Sequence, residues 1–104
     1  MSVLLSTLKD EFKTVQRLER RYVRSIKALP FGSFVLRKRR CKSYGYLTYR
    51  QNGQVKQKYL GSLSGQSIER YRTAMQDKRA YKEKLKNIRA QLKILQRALR
   101  GHAT

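Results

Sequence analysis

Residues 44–61 read Tyr-Gly-Tyr-Leu-Thr-Tyr-Arg-Gln-Asn-Gly-Gln-Val-Lys-Gln-Lys-Tyr-Leu-Gly. Asn52 and Gly53 lie between two runs rich in Tyr, Leu, Thr and Val. An Asn-Gly pair readily supplies the positive φ that a type I′ turn needs at both central positions. A two-residue hairpin then fixes its own cross-strand pairs: Arg50 with Val55, Tyr49 with Lys56, Thr48 with Gln57, Leu47 with Lys58 and Tyr46 with Tyr59. Upstream, Phe34, Val35 and Leu36 open a further strand, so residues 33–61 are expected to form a three-stranded antiparallel β-meander. A loop runs from Gly61 to Gly65, with Ser64 or Ser67 placed to cap the helix beyond it.

Both flanks of the meander have helical periodicity. Between Ser2 and Leu29, apolar residues recur at Leu5, Leu8, Phe12, Val15, Leu18, Tyr22, Ile26 and Leu29, three or four apart, which puts them on one stripe of a helix. Ser2 is the expected cap, and Pro30 with Gly32 the expected stop. A helix over residues 2–29 would be about 40 Å long and needs a second helix to cover its stripe. Residues 66–100 contain neither Pro nor Gly, and Tyr81, Leu85, Ile88, Leu92, Leu95 and Leu99 form a second seam. Gly101 is the expected stop, with residues 101–104 as a frayed tail. The expected fold class is therefore α+β, a single domain of residues 1–104 in which an antiparallel helical hairpin flanks the meander. A coiled-coil homodimer using the same seams is the competing arrangement.

Charge points to the partner. The 104 residues hold 26 Lys plus Arg against 6 Asp plus Glu, a net charge of +20, and self-repulsion of that size is relieved by a polyanion. A hydrophobic content of 39% separates the chain from disordered polycations. No carboxylate falls between Glu19 and Glu69, so Arg37, Lys38, Arg39, Arg40 and Lys42 have no local counter-ion and look outward. On the second helix, Arg79, Lys82, Lys86, Arg89, Lys93 and Arg100, with Arg97 beside them, repeat the rhythm of the apolar seam one residue out of step. That is a basic stripe.

Alternation splits the hairpin into two faces. One carries Tyr44, Tyr46, Thr48, Arg50, Val55, Gln57 and Tyr59; the other carries Leu47, Tyr49, Lys56, Lys58 and Leu60. An aromatic ring among lysines can stack on a base and hold phosphates, so the second face is the expected contact surface. The competing reading turns Leu47 and Tyr49 to the core and lets the lysines reach past the helices. No turn signal fixes the register of the first strand, so both Arg37 with Arg39 and Lys38 with Arg40 are candidates for the contact face. Arg50, Lys56 and Lys58 complete the sheet set.

Catalytic chemistry has little to work with. His102 is the one histidine, Cys41 has no histidine near it in sequence, and the carboxylates sit in helical surface pairs such as Asp10 with Lys13 and Glu83 with Lys86. Neither zinc-ligand spacing nor a phosphate-cradling glycine loop is present, so no cofactor and no metal is expected. A single cysteine makes an intramolecular disulfide impossible and suggests a reducing, cytoplasmic setting. The short apolar opening runs into Lys9, Asp10 and Glu11, which suits neither a signal peptide nor a membrane span.

Residues 32–37, Gly-Ser-Phe-Val-Leu-Arg, together with residues 44–61 resemble the arm-type DNA-binding modules of phage tyrosine integrases. They also look like small basic proteins of bacterial mobile elements. The integrase resemblance implies a meander followed by a helix, with the sheet laid in the DNA major groove. This chain departs from that pattern in its long first helix and its longer last one, which leaves room for structured RNA. The sequence therefore predicts a non-catalytic binder of structured RNA or duplex DNA, RNA slightly favoured, within a ribonucleoprotein or mobile-element complex. An inhibitor or accessory subunit of a nucleoprotein machine, such as a phage factor directed at a CRISPR effector, is the alternative. A membrane-surface role ranks last, since the two seams are better matched to each other.

Overall fold

The computed structural model describes the backbone of residues 3–103 and the side chains of residues 3–101. The element order is α1 (Val3–Lys27), β1 (Ser33–Arg39), β2 (Lys42–Gln51), β3 (Gln54–Ser62) and α2 (Gly65–Ala103). The three strands form one antiparallel sheet in the order β1-β2-β3, so the chain is α+β with two long helices flanking a meander. It divides into two compact units: a helical unit made of the chain up to Ile26 and from Ala80 onward, and a sheet unit spanning Lys27–Arg79.

In the helical unit the two apolar seams close on each other within one chain. Val15 is 2% exposed and packs with Ile88 and Leu95, while Leu8, Phe12, Tyr22 and Leu92 line the same core. The rings of Tyr22 and Tyr81 lie 5.8 Å apart. Glu19 of α1 accepts a 3.1 Å hydrogen bond from Arg89 Nε of α2. Residues later in α1 therefore meet residues earlier in α2, as an antiparallel hairpin requires. Leu18, placed on the apolar stripe by its spacing, is exposed.

Helix ends differ from the sequence expectation at two places. α1 ends at Lys27, short of Leu29, consistent with the steric block that Pro30 imposes on helical geometry in the residue before it. Gly101 does not stop α2, which runs on to Ala103, so residues 101–103 are helical rather than a frayed tail. A glycine ends a helix by taking positive φ, and Gly101 does not. The expected cap Ser2 lies outside the described residues, as does Thr104. At the start of α2, Ser64 is the cap: its Oγ accepts from the Ser67 amide at 3.2 Å, and its carbonyl accepts from the Ile68 amide at 3.0 Å.

Two tight turns set the sheet register. Asn52 and Gly53 have φ of 53° and 77°, the signs of a type I′ turn, and the five pairs read from the sequence are all present. The first hairpin is equally tight: Arg39 pairs with Lys42 across Arg40 and Cys41. Only Arg40 has positive φ there, 56°, the sign pattern of a type II′ turn. The register of β1, open in the sequence, is fixed by that turn, with Phe34 opposite Leu47 and Val35 opposite Tyr46.

The packed face of the sheet is the one carrying Phe34, Gly45 and Leu47. Leu47 is 4% exposed. Phe34 stacks on Tyr71 of α2 with ring centroids 5.1 Å apart and planes 7° from parallel. Gly45 leaves room on this face: a Cβ there would overlap the Leu63 side chain and lie 3.1 Å from the Phe34 ring. A β-bulge enables this packing. Tyr46 pairs with Tyr59 but Gly45 pairs with Gly61, so Leu60 is passed over and the parity of the residues after it is reversed. Leu63 thereby reaches the packed face, its amide donating to the Ser43 carbonyl at 2.9 Å. The Lys78 ammonium donates to the carbonyls of Pro30 at 3.1 Å and Gly32 at 3.3 Å, fastening the α1–β1 connection to α2.

Candidate nucleic-acid interface

The packing corrects the choice of contact face. Leu47 and Tyr49, expected to look outward, are turned inward: Leu47 is buried, and Tyr49 is half-buried with its ring edge-on to Phe31 at 4.8 Å. Packed neighbours claim that face because Phe34 and Leu47, directly opposite each other, supply its apolar area. Lys56 and Lys58 share the face by parity but are exposed, and Lys56 Nζ donates to Gln51 Oε1 at 3.2 Å. Lys38, opposite Ser43, is on the same face near the Arg40-Cys41 turn and is also exposed.

The opposite face is the open one. Strand parity gathers on it Arg37 and Arg39 of β1, Lys42, Tyr44, Tyr46, Thr48 and Arg50 of β2, and Val55, Gln57 and Tyr59 of β3. Tyr59 is 58% exposed and Val55 62%. Tyr59 sits between two other rings, 5.3 Å from Tyr46 and 6.4 Å from Tyr44, and the Arg37 guanidinium lies 5.1 Å from the centre of the Tyr46 ring. Four cations share this face with the aromatic cluster, Arg37, Arg39, Lys42 and Arg50, and no carboxylate occurs in the sheet. Arg40 stands at the tip of the first hairpin.

Of the sheet residues named from the sequence, Arg37, Arg39, Lys42 and Arg50 therefore share the open face, with Arg39 opposite Lys42 at one end of β2 and Arg50 at the other, while Tyr49, Lys38, Lys56 and Lys58 fall on the packed face. Tyr44, Tyr46 and Tyr59 belong to the open surface, although the sequence expectation gave the contact role to the face opposite theirs. A signal for this was present at Gly45. A strand glycine marks close approach of another group, so its parity, shared with Leu47, indicates the packed face.

The helical unit has a second basic surface. Lys82, Lys86, Arg89 and Lys93 line an open groove whose apolar floor includes Ile26 and Leu85. Arg89 is held by Glu19, while Lys82, Lys86 and Lys93 make no hydrogen bond or ion pair among the described residues. Arg79, the first member of the stripe, is exposed at the end of the sheet unit. Among the described residues no helix is long and apolar enough to cross a membrane.

No family model, curated protein or solved structure matches this chain. Its two basic surfaces are what point to a function.

Proposed function

We propose that this chain is a non-catalytic nucleic-acid-binding protein that grips a polynucleotide with the open face of its sheet, as part of a ribonucleoprotein or mobile-element complex. The observation that carries this reading is the juxtaposition of Tyr44, Tyr46 and Tyr59 with Arg37, Arg39, Lys42 and Arg50 on a face without carboxylates. Guanidinium and ammonium groups neutralise phosphates, and the exposed Tyr59 ring with the half-buried Tyr44 and Tyr46 beside it offers stacking surface. The groove cations Lys82, Lys86 and Lys93 supply a second run of phosphate contacts. Arg40, exposed at the tip of the first hairpin, adds a further cation beside Arg39 and Lys42.

Binding of this kind releases counter-ions. With six or more phosphate contacts, affinity for a labelled polynucleotide falls by about 10³ or more between 50 and 200 mM salt, read by fluorescence anisotropy. A flat salt response overturns the proposal.

A further inference from the structure

Building on that reading, we infer that the open sheet face takes unpaired nucleotides, stacking their bases on Tyr44, Tyr46 and Tyr59, and does not seat a duplex groove. The two forms of polynucleotide offer different chemistry. A duplex stacks its bases on one another and presents phosphates and base edges outward, whereas an unpaired segment exposes the base faces. The middle of this surface is built for faces. Tyr59 is 58% exposed, with Tyr46 at 5.3 Å and Tyr44 at 6.4 Å, so three rings are clustered where a base can lie on them.

An ordinary cross-strand pair accounts for Tyr46 opposite Tyr59, but not for Tyr44, whose partner is Ser62, nor for the exposed Val55 opposite Arg50. Apolar surface left open in a sheet carrying so many cations is poorly used by phosphates and well used by the rings of bases. The cations are placed for the backbone of such a strand. Lys42 and Arg50 lie on the same face of β2, eight residues and so about 26 Å apart, with Tyr44, Tyr46 and Thr48 between them. A single strand lying along β2 meets cations at both ends and rings in the middle. Arg37, over the Tyr46 ring at 5.1 Å, adds a planar cation that stacks as readily as it pairs.

The test uses the full chain and four labelled 12-nucleotide probes of one mixed sequence at about 100 mM salt: single-stranded RNA, single-stranded DNA and the two corresponding duplexes. Single strands are expected to bind about tenfold or more tighter than duplexes. Tyr59→Ala is expected to lose about tenfold on the single strands and less than twofold on the duplexes, while Tyr59→Phe stays within about threefold of the parent. A stronger hold on the RNA or the DNA strand names the source of the nucleotides, and both results support the inference. Circular dichroism of each variant checks that the fold is kept, and Tyr59→Phe preserves the ring if Tyr59→Ala does not fold.

Duplexes bound as tightly as single strands, with Tyr59→Ala within twofold on every probe, overturn the inference while leaving nucleic-acid binding in place. That result favours a sheet laid in a duplex groove. Absence of binding to all four probes overturns the reading beneath it.

Discussion

Gly45 separates the two faces of the sheet at the scale of one residue. It faces the packed side, where a side chain would overlap Leu63 and crowd Phe34, while its neighbours Tyr44 and Tyr46 point to the open side. Gly45→Ala forces a methyl group into filled space, and overpacking of this kind costs about 1–3 kcal/mol. Urea denaturation is expected to show that loss, with the midpoint lowered and the slope unchanged. Gly65→Ala serves as the comparison, because an added Cβ there meets nothing within 4 Å. Its stability is expected to stay within about half a kcal/mol of the parent or to rise slightly. Unchanged stability of Gly45→Ala would mean that the Leu63 and Phe34 side chains move aside for the added methyl group. Lys78 shows the converse lesson about single residues: a lysine in a chain this basic is easily assigned to phosphate, yet its ammonium is engaged by two backbone carbonyls.

At the scale of elements, much of the fold was legible. The Asn52-Gly53 turn specified the β2–β3 register pair by pair, and the three-and-four spacing marked both helices and the seam that Val15, Ile88 and Leu95 close. Less legible were features that depend on neighbours in space. The Arg40-Cys41 turn carries no glycine or asparagine, so the first hairpin had no local signature, and the β1 register emerged only from the strand pairing. The bulge at Leu60 was also unreadable, and it is the bulge that carries Leu63 to the packed face. Alternation alone therefore separated two faces correctly but not which was inside. The basic stripe on α2 was readable as a pattern, and its contribution can be separated from that of the sheet. Arg37, Arg39 and Lys42 replaced together by Ala are expected to lower the slope of log affinity for single strands against log salt by about 2, roughly 0.7 for each phosphate no longer neutralised. Lys82, Lys86 and Lys93 replaced together by Ala are expected to lower the slope as well, but to leave the preference for single strands intact, since the rings are on the sheet. An unchanged slope in the second variant would reduce the helix stripe to a solvated surface.

For the whole molecule the governing quantity is net charge. At +20, with 6 carboxylates in 104 residues, the folded chain repels itself, and the repulsion acts over roughly 30 Å at 10 mM ionic strength but only about 8 Å at physiological salt. Without nucleic acid, the melting temperature is therefore expected to rise as salt is raised from about 10 to 150 mM, the opposite of what a surface held by ion pairs would show. A polyanion that binds the folded chain supplies the same relief at low salt and adds its own binding free energy. At a free concentration 100 times its dissociation constant it contributes about 2.7 kcal/mol, or roughly 10 °C or more for units of this size. The two effects are not additive, because the salt that screens the protein also displaces the polyanion: the shift on adding single-stranded nucleic acid is expected to be largest near 10 mM salt and to shrink steadily toward 500 mM. Differential scanning calorimetry across that range distinguishes the possibilities. A polyanion that leaves the melting temperature unchanged while anisotropy reports saturation would be binding the unfolded polycation equally well, and the charge, not the arrangement of rings and cations on the sheet, would then be what it recognises.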